Sequence, residues 1–264
     1  MNLKWSSKFE LKPGKWVFVP TADSIDEGRK IKQSIENKWK VPSYYYHLRS
    51  GGHVEALKSH LGHSSFLRID IQDFFGSINR TRVTRCLKSK FDYVTARAWA
   101  NASTVIDPAN KKRSFIPFGF VQSQIIASLC LAESALGICL SKIRKNKNVS
   151  ISVYVDDIII STCNAEASVS ILEMLKLAAN RARFTLNAQK QEGPAPIITA
   201  FNIVLANASI EIDKARLKMF VQALEQATNE HQRKGIVDYV KSINVAQAME
   251  LVASDRCHFQ NYLA

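Results

Sequence analysis

The sequence contains no Cys-x-x-C pair. Its five cysteines (Cys86, Cys130, Cys139, Cys163 and Cys257) are scattered and odd in number. That excludes a disulfide framework and a cysteine-based zinc site, and it predicts a reducing, cytoplasmic setting. No repeat and no low-complexity linker divides the 264 residues, enough for one large domain or two small ones. Long hydrophobic runs are also missing. The longest, residues 125–140, is broken by Glu133, so no membrane insertion is expected. The segment from Met1 to Trp5 has no apolar stretch of the secretory type. Acidic residues are scarce, 23 against 36 Lys and Arg, which leaves a net charge of +13. A chain this basic calls for an acidic partner, most often nucleic acid, with a merely solvated basic surface as the plain alternative.

The few acids that are present sit in informative places. Asp156 and Asp157 lie between the apolar runs Ile151-Ser152-Val153-Tyr154-Val155 and Ile158-Ile159-Ile160. Runs rich in Val, Ile and Tyr read as strands, so the acids fall at a hairpin tip where Gly or Asn would be usual. Desolvating paired carboxylates is costly without a cation, and Mg²⁺ favours such hard oxygen ligands. Asp70 ends a second apolar strand, residues 66–71. Setting the two strands side by side would gather Asp70, Asp156 and Asp157. Two Mg²⁺ ions about 3.5–4 Å apart would then satisfy the charges and suit phosphoryl transfer; Mn²⁺ is an alternative. Two unrelated surface turns are the bland reading.

Elsewhere the pattern predicts a strand over residues 15–19 and a helix capped at Asp23–Ser24 that uses Ile31, Ile35 and Trp39. A short helix over 54–61, a basic loop over 108–113 and one buried helix over 122–142 follow. Then come a hairpin over 151–162, a helix over 165–183, strands over 184–186, 197–204 and 210–212, and two helices between 213 and 254. Strands alternating with helices before a helical tail indicate an α+β fold.

The motifs resemble those of reverse transcriptases, in particular the bacterial retron, abortive-infection and defence-associated group. Ile69-Asp70-Ile71-Gln72-Asp73-Phe74-Phe75-Gly76-Ser77-Ile78 is similar to the first catalytic motif and Tyr154-Val155-Asp156-Asp157 to the third. Pro117-Phe118-Gly119-Phe120-Val121-Gln122-Ser123 resembles the second, Phe184-Thr185-Leu186-Asn187-Ala188-Gln189-Lys190 the fourth, and Thr199-Ala200-Phe201-Asn202-Ile203-Val204-Leu205 the primer-grip strand. The order and spacing fit over residues 10–212. The resemblance implies a right-hand polymerase with an antiparallel palm. Fingers would span 1–65, palm 66–80, a fingers insertion 81–116, palm 117–212, and a short helical thumb 213–264.

The resemblance further implies metal ligation by Asp70, Asp156, Asp157 and the Ile71 carbonyl. Lys190 would neutralise or protonate departing pyrophosphate. Asp73 and Phe74 would offer backbone N–H groups to a triphosphate, and Phe75 would exclude a ribose 2′-hydroxyl, favouring dNTPs. Gly119, Gln122 and Ser123 would line the nucleotide, and Lys15 or Arg49 would hold its phosphates. Tyr44-Tyr45-Tyr46 could stack on bases or pack internally, and packing is the favoured reading. Gly51-Gly52-His53, with His60 and His63, reads as a turn into a helix rather than a metal site. The basic runs over 80–90 and 111–113 read as solvated faces with some phosphate contacts.

Three departures stand out. Phe118 occupies the position where many relatives carry Gln, and Gln124 replaces a Pro. The retron Val-Thr-Gly thumb signature is absent. The leading expectation is an RNA-directed DNA polymerase copying a structured non-coding RNA into DNA from dNTPs, in antiphage defence, with an effector protein or a second copy as partner. Template-independent or protein-primed synthesis is the first alternative. A non-catalytic nucleic-acid-binding scaffold is the second, and an RNA-templated RNA polymerase is disfavoured by Phe75.

Overall fold

The structure is a computed structural model. It describes residues 4–261, with side-chain surroundings for residues 4–253, so residues 1–3 and the Cys257 side chain lie outside the described part. A hairpin of β1 (Trp5–Lys12) and β2 (Lys15–Pro20) precedes α1 (Ala22–Lys38) and α2 (Gly52–Lys58). Next come β3 (Ser65–Asp70), α3 (Arg80–Leu87), α4 (Tyr93–Ala102), β4 (Val105–Ile106) and β5 (Ser114–Phe115). They lead to α5 (Ser123–Ala132), α6 (Ala135–Ile143), β6 (Val149–Tyr154), β7 (Asp157–Thr162) and α7 (Ala165–Arg181). Four short strands follow, β8 (Glu192–Ala195), β9 (Ile198–Ala200), β10 (Ile203–Leu205) and β11 (Ile210–Ile212). The last elements are α8 (Lys214–Glu225), α9 (Glu230–Ile243) and α10 (Val245–Asn261).

The central sheet has the order β6-β7-β3-β8 and is antiparallel throughout. Side chains alternate across it, so β3 and β7 each serve two cores. Leu67, Ile69, Ile158 and Ile160 face a core built with α1 and α3 to α7. Phe66 and Ile159 face a second core made by β9 to β11 and the last three helices. Full burial of each such side chain contributes roughly 1.5–3 kcal/mol. The register is therefore fixed: a one-residue slip would turn every one of these residues to the wrong face. That register sets Asp70 directly opposite Asp157. The α+β expectation agrees with this architecture.

Several local expectations need correction. Thr21, not Asp23 or Ser24, caps α1, its hydroxyl accepting from the Ser24 N–H. The short helix stops at Lys58, and Leu61 stands exposed beyond it. The single helix expected over 122–142 is two, α5 and α6, bent by 71°. Ser134 accepts from the Gly137 N–H and so starts a new helix. A Cβ on Gly137 would fall 2.1 Å from the Leu131 carbonyl oxygen, so the corner needs glycine there. Residues 184–186 contribute only an isolated bridge, Leu186 to Ile71. Residues 197–204 hold two strand segments because Phe201 and Asn202 turn with φ of 58° and 60°. Three helices, not two, follow Asp213. Strand β1 went unpredicted because it is largely solvated on both faces, and β8 because Gly193 and Pro194 are poor strand formers. No single described helix is long and apolar enough to cross a membrane, and the bent pair that passes by length and composition is buried in the core.

Tyr44 and Tyr45 pack internally, as favoured, and Tyr45 bridges to Val153. His60 is fully buried between the hydroxyls of Ser161 and Ser152, 2.8 Å from each. Both serines come from the central sheet, so this histidine is a structural cross-brace. Burial lowers its pKa to about 3.

Candidate active site

At one end of the sheet, carboxylate oxygens of Asp70, Asp156 and Asp157 lie within 4.8 Å of one another. Asp70 is the last residue of β3, and Asp157 is the first of β7. Asp156 occupies the turn between β6 and β7. The Ile71 N–H donates to the Asp156 carbonyl at 2.9 Å and ties the two acid-bearing segments together. Like charges directly opposite on a sheet are destabilising, so the cluster needs positive charge nearby.

The protein supplies two cations of its own. Arg68 stands two residues before Asp70 on the same face, and its Nε and Nη2 both lie 2.9 Å from Asp157 Oδ1. Lys190 Nζ donates to Asp70 Oδ2 at 2.8 Å, which with the surrounding acids raises the lysine pKa. No ion pair is made by Asp156 among the described residues. Burial, then repulsion from Asp157, raises its pKa to about 6. Burial also raises that of Asp157, while Arg68 opposes the shift. Three hard oxygen donors with charge to spare fit a divalent cation.

The turn that carries Asp156 is strained. Val155 has φ 60°, a left-handed conformation rarely taken by a β-branched residue. Its N–H donates to Nδ1 of His47 at 2.9 Å, and His47 Nε2 donates to Ser128 Oγ at 2.7 Å. Nδ1 can accept only while the ring is neutral, and burial lowers the ring pKa to about 4. On the other side of the turn, Tyr154 packs edge-on against His53 and Phe201. Sequence reasoning missed Arg68 and His47. Arg68 left a usable signal, since alternation along β3 puts it beside Asp70; His47 left none.

A cavity of about 590 Å³ opens beside the carboxylates, lined by Asp156, Asp157, Lys15, Phe75, Phe118 and Gln124, among others. Asp73, Phe74, Gly119 and Ser123 also border it. Asp73 is held by Arg113, whose Nη2 lies 3.0 Å from Oδ2. Phe74 and Phe75 are buried, and the Phe75 ring meets Phe118 edge-on with centroids 4.9 Å apart. Gly119 adopts φ 101°, and a Cβ there would lie 2.4 Å from the Phe18 carbonyl oxygen. The Ser123 hydroxyl donates to the Pro117 carbonyl and so fixes the loop.

Two expected nucleotide contacts are not brought here. Gln122 turns inward, buried against Gly28, with Nε2 donating to Ser103 Oγ. The helix that starts at Ser123 rotates Gln124 toward the cavity instead. Arg49 stacks on Tyr46 and donates to the Ser43 carbonyl, in a separate groove with Arg144 and Lys147.

The chain matches the family model described as "Reverse transcriptase (RNA-dependent DNA polymerase)" over residues 12–197. None of the curated proteins compared with it matches. Among solved structures it is similar to telomerase from Candida albicans in complex with a fragment of telomeric RNA. That likeness has TM-score 0.53 and 10% identity, covering 88% of this chain and 48% of that one. It is also similar to the foamy viral protease-reverse transcriptase in complex with double-stranded DNA. There the TM-score is 0.51 and the identity 15%, covering 90% of this chain and 37% of that one. The chain thus spans less than half the length of either, and at these identities the likeness concerns the fold.

Proposed function

We propose, because this chain belongs to the reverse transcriptase (RNA-dependent DNA polymerase) family, that it makes DNA on an RNA template by nucleotidyl transfer at the three-aspartate centre. The observation that carries this reading is the convergence of Asp70, Asp156 and Asp157 within 4.8 Å, at the mouth of a nucleotide-sized cavity. Asp70, Asp156, Asp157 and the Ile71 carbonyl would hold two Mg²⁺ ions, or Mn²⁺. When bound, these supply the Lewis acidity that activates a primer 3′-hydroxyl and stabilises the leaving pyrophosphate.

The remaining work falls to the chain itself. Lys15 lines the cavity and carries charge for the triphosphate. Asp73 and Phe74 border the same space and would offer backbone N–H groups to the triphosphate. Phe75 forms a wall against a ribose 2′-hydroxyl, so the substrates are dNTPs. Lys190, kept protonated by its acidic neighbours, donates a proton to the departing pyrophosphate. In this reading residues 1–65 and 81–116 act as fingers, 66–80 and 117–212 as palm, and 213–264 as a short thumb.

The motif resemblance supports a place in the bacterial retron and defence-associated group. It supports a cytoplasmic enzyme that copies a structured non-coding RNA in antiphage defence, together with an effector protein or a second copy. The test is dNTP incorporation on an RNA template with Mg²⁺, comparing the natural chain with Asp156→Ala. Equal incorporation by both would end the reading. Phe118, which lines the cavity at 36% exposure where many relatives carry Gln, favours untemplated synthesis as second reading. Sequencing the products separates the two, since complementarity to the RNA supplied excludes untemplated addition.

A further inference from the structure

A cavity of about 710 Å³ shares no lining residue with the catalytic one. It lies among α3, the corner between α5 and α6, and the end of α7, and four arginines line it: Arg82, Arg85, Arg181 and Arg183. Among the described residues none of the four has a carboxylate partner. The single acid in the wall, Glu133, is engaged by Lys90 at 2.9 Å and by Ser89 at 2.6 Å. Four like charges gathered around one concavity repel each other, and the one acid among the lining residues is already paired with Lys90.

Arg82 is the fixed member. Its guanidinium stacks on Phe184 at 4.4 Å and donates to the Ala182 carbonyl, while Nη1 is buried without a hydrogen-bond partner. Burial lowers its pKa, and the charges of Arg183 and Arg85 act in the same direction. Arg85, Arg181 and Arg183 are exposed and free to reach a ligand. The starts of α3 and α6 also open on the cavity, at Asn79 and Ser134, and add the positive ends of two helix dipoles. An unpaired positive concavity of this kind fits phosphate oxygens, which suit the planar arginine fork.

The lining contains no aromatic ring, and the one amide, Asn79, is committed to capping α3 through the Arg82 N–H. The cleft therefore offers four phosphate-binding forks and no aromatic platform for a base, which favours recognition of backbone over recognition of a free nucleotide. We infer that this four-arginine cleft is a second nucleic-acid site, taking the phosphodiester backbone of an RNA strand away from the catalytic centre. The inference stands apart from the polymerase reading, because backbone binding requires neither metal nor turnover.

The test uses the full chain in EDTA without dNTPs, titrated with a labelled 20-nucleotide single-stranded RNA across a KCl series. A triple variant, Arg85→Gln with Arg181→Gln and Arg183→Gln, is expected to flatten the log–log salt slope by about 2, since each single-strand phosphate left without its arginine removes roughly 0.7. Its extension of a short primer–template should stay within about twofold of the natural chain. Arg181→Gln alone, at an exposed position, should give about one third of the slope change and guards against a folding defect. In the natural chain, phenylglyoxal modification of Arg85, Arg181 and Arg183 should be shielded by the RNA and not by ATP. An unchanged slope, shielding by ATP alone, or a fall in primer extension in step with RNA binding would each overturn the assignment.

Discussion

Lys190 Nζ lies 2.8 Å from Asp70 Oδ2, placing an ammonium against one of the three clustered carboxylates. A lysine in this position is both a counter-ion for the free centre and, in the proposed reaction, the acid for the leaving group. The two roles pull in opposite directions once a divalent cation competes for Asp70. Lys190→Met is therefore expected to bind Mg²⁺ more tightly than the natural chain in calorimetry without nucleotide. The same variant should lose about 10²-fold or more in kcat for primer extension, the usual scale of general acid catalysis. Weaker Mg²⁺ binding by the variant would contradict the counter-ion role.

Asp156 has no cation partner among the described residues, and its pKa is raised to about 6. A raised carboxyl pKa means that the folded protein favours the protonated form. The associated stability is fully present below about pH 4 and is lost as pH rises through 6. At pH 8 the ionised group costs up to about 3 kcal/mol, at 1.36 kcal/mol per unit. Asp156→Asn without metal should thus melt several degrees higher than the natural chain at pH 8. The gain should vanish near pH 4, while polymerase activity is abolished. Thermal unfolding in EDTA at the two pH values measures this.

His60 works in the opposite sense. Burial holds its pKa near 3, so it contributes stability above about pH 6.5 that is lost as pH falls toward 3. By pH 5 the loss should be about 2 kcal/mol, or 1.5 units below the unfolded value. Urea midpoints at pH 7 and pH 5, taken in the Asp156→Asn and His47→Phe background to remove the opposing carboxyl and the other strongly depressed imidazole, should show it.

The Phe75 and Phe118 rings touch edge-on, so in the proposed reaction the wall against the sugar would be a pair of residues. Phe75→Ala should raise the ribonucleotide share of kcat/KM by about 10–200-fold, the range that one apolar contact supports. Phe118→Ala should produce a smaller rise by freeing the Phe75 ring. Competitive incorporation of dNTP against rNTP reads both effects.

His47 holds the strained Val155 turn through one hydrogen bond. His47→Phe keeps the ring volume and leaves the Val155 N–H unpaired, a cost of about 1–3 kcal/mol. The expected result is a kcat reduced about tenfold or more, with KM for dNTP little changed, because the turn displaces Asp156 and not the nucleotide pocket. Steady-state primer extension separates the two parameters. A change confined to KM would count against a positioning role.

Much of this site was legible in order along the chain. Apolar runs ending in acids identify strand ends, and the hairpin over 151–162 requires no distant information. Contacts between remote segments were not legible. Gln122 looked like a nucleotide contact by motif, yet the first turn of α5 directs it against Gly28, where glycine leaves room for it. Arg49 lies near aromatic residues in sequence and in space, but on a different groove from the carboxylates. The long apolar run over 122–142 hid a corner, because a Ser cap and one Gly break a helix without changing its hydrophobicity.

Local pattern by itself determined β3, the β6–β7 hairpin and the three acids at their ends, because alternation and charge placement are properties of neighbouring residues. Tertiary structure alone decided which cations meet those acids and how the turn is held. Arg68, Lys190 and His47 reach Asp157, Asp70 and Val155 across 89, 120 and 108 residues. It also decided that four arginines, from α3 and from the distant end of α7, share one cleft. Such meetings depend on how elements pack, and no local periodicity encodes them.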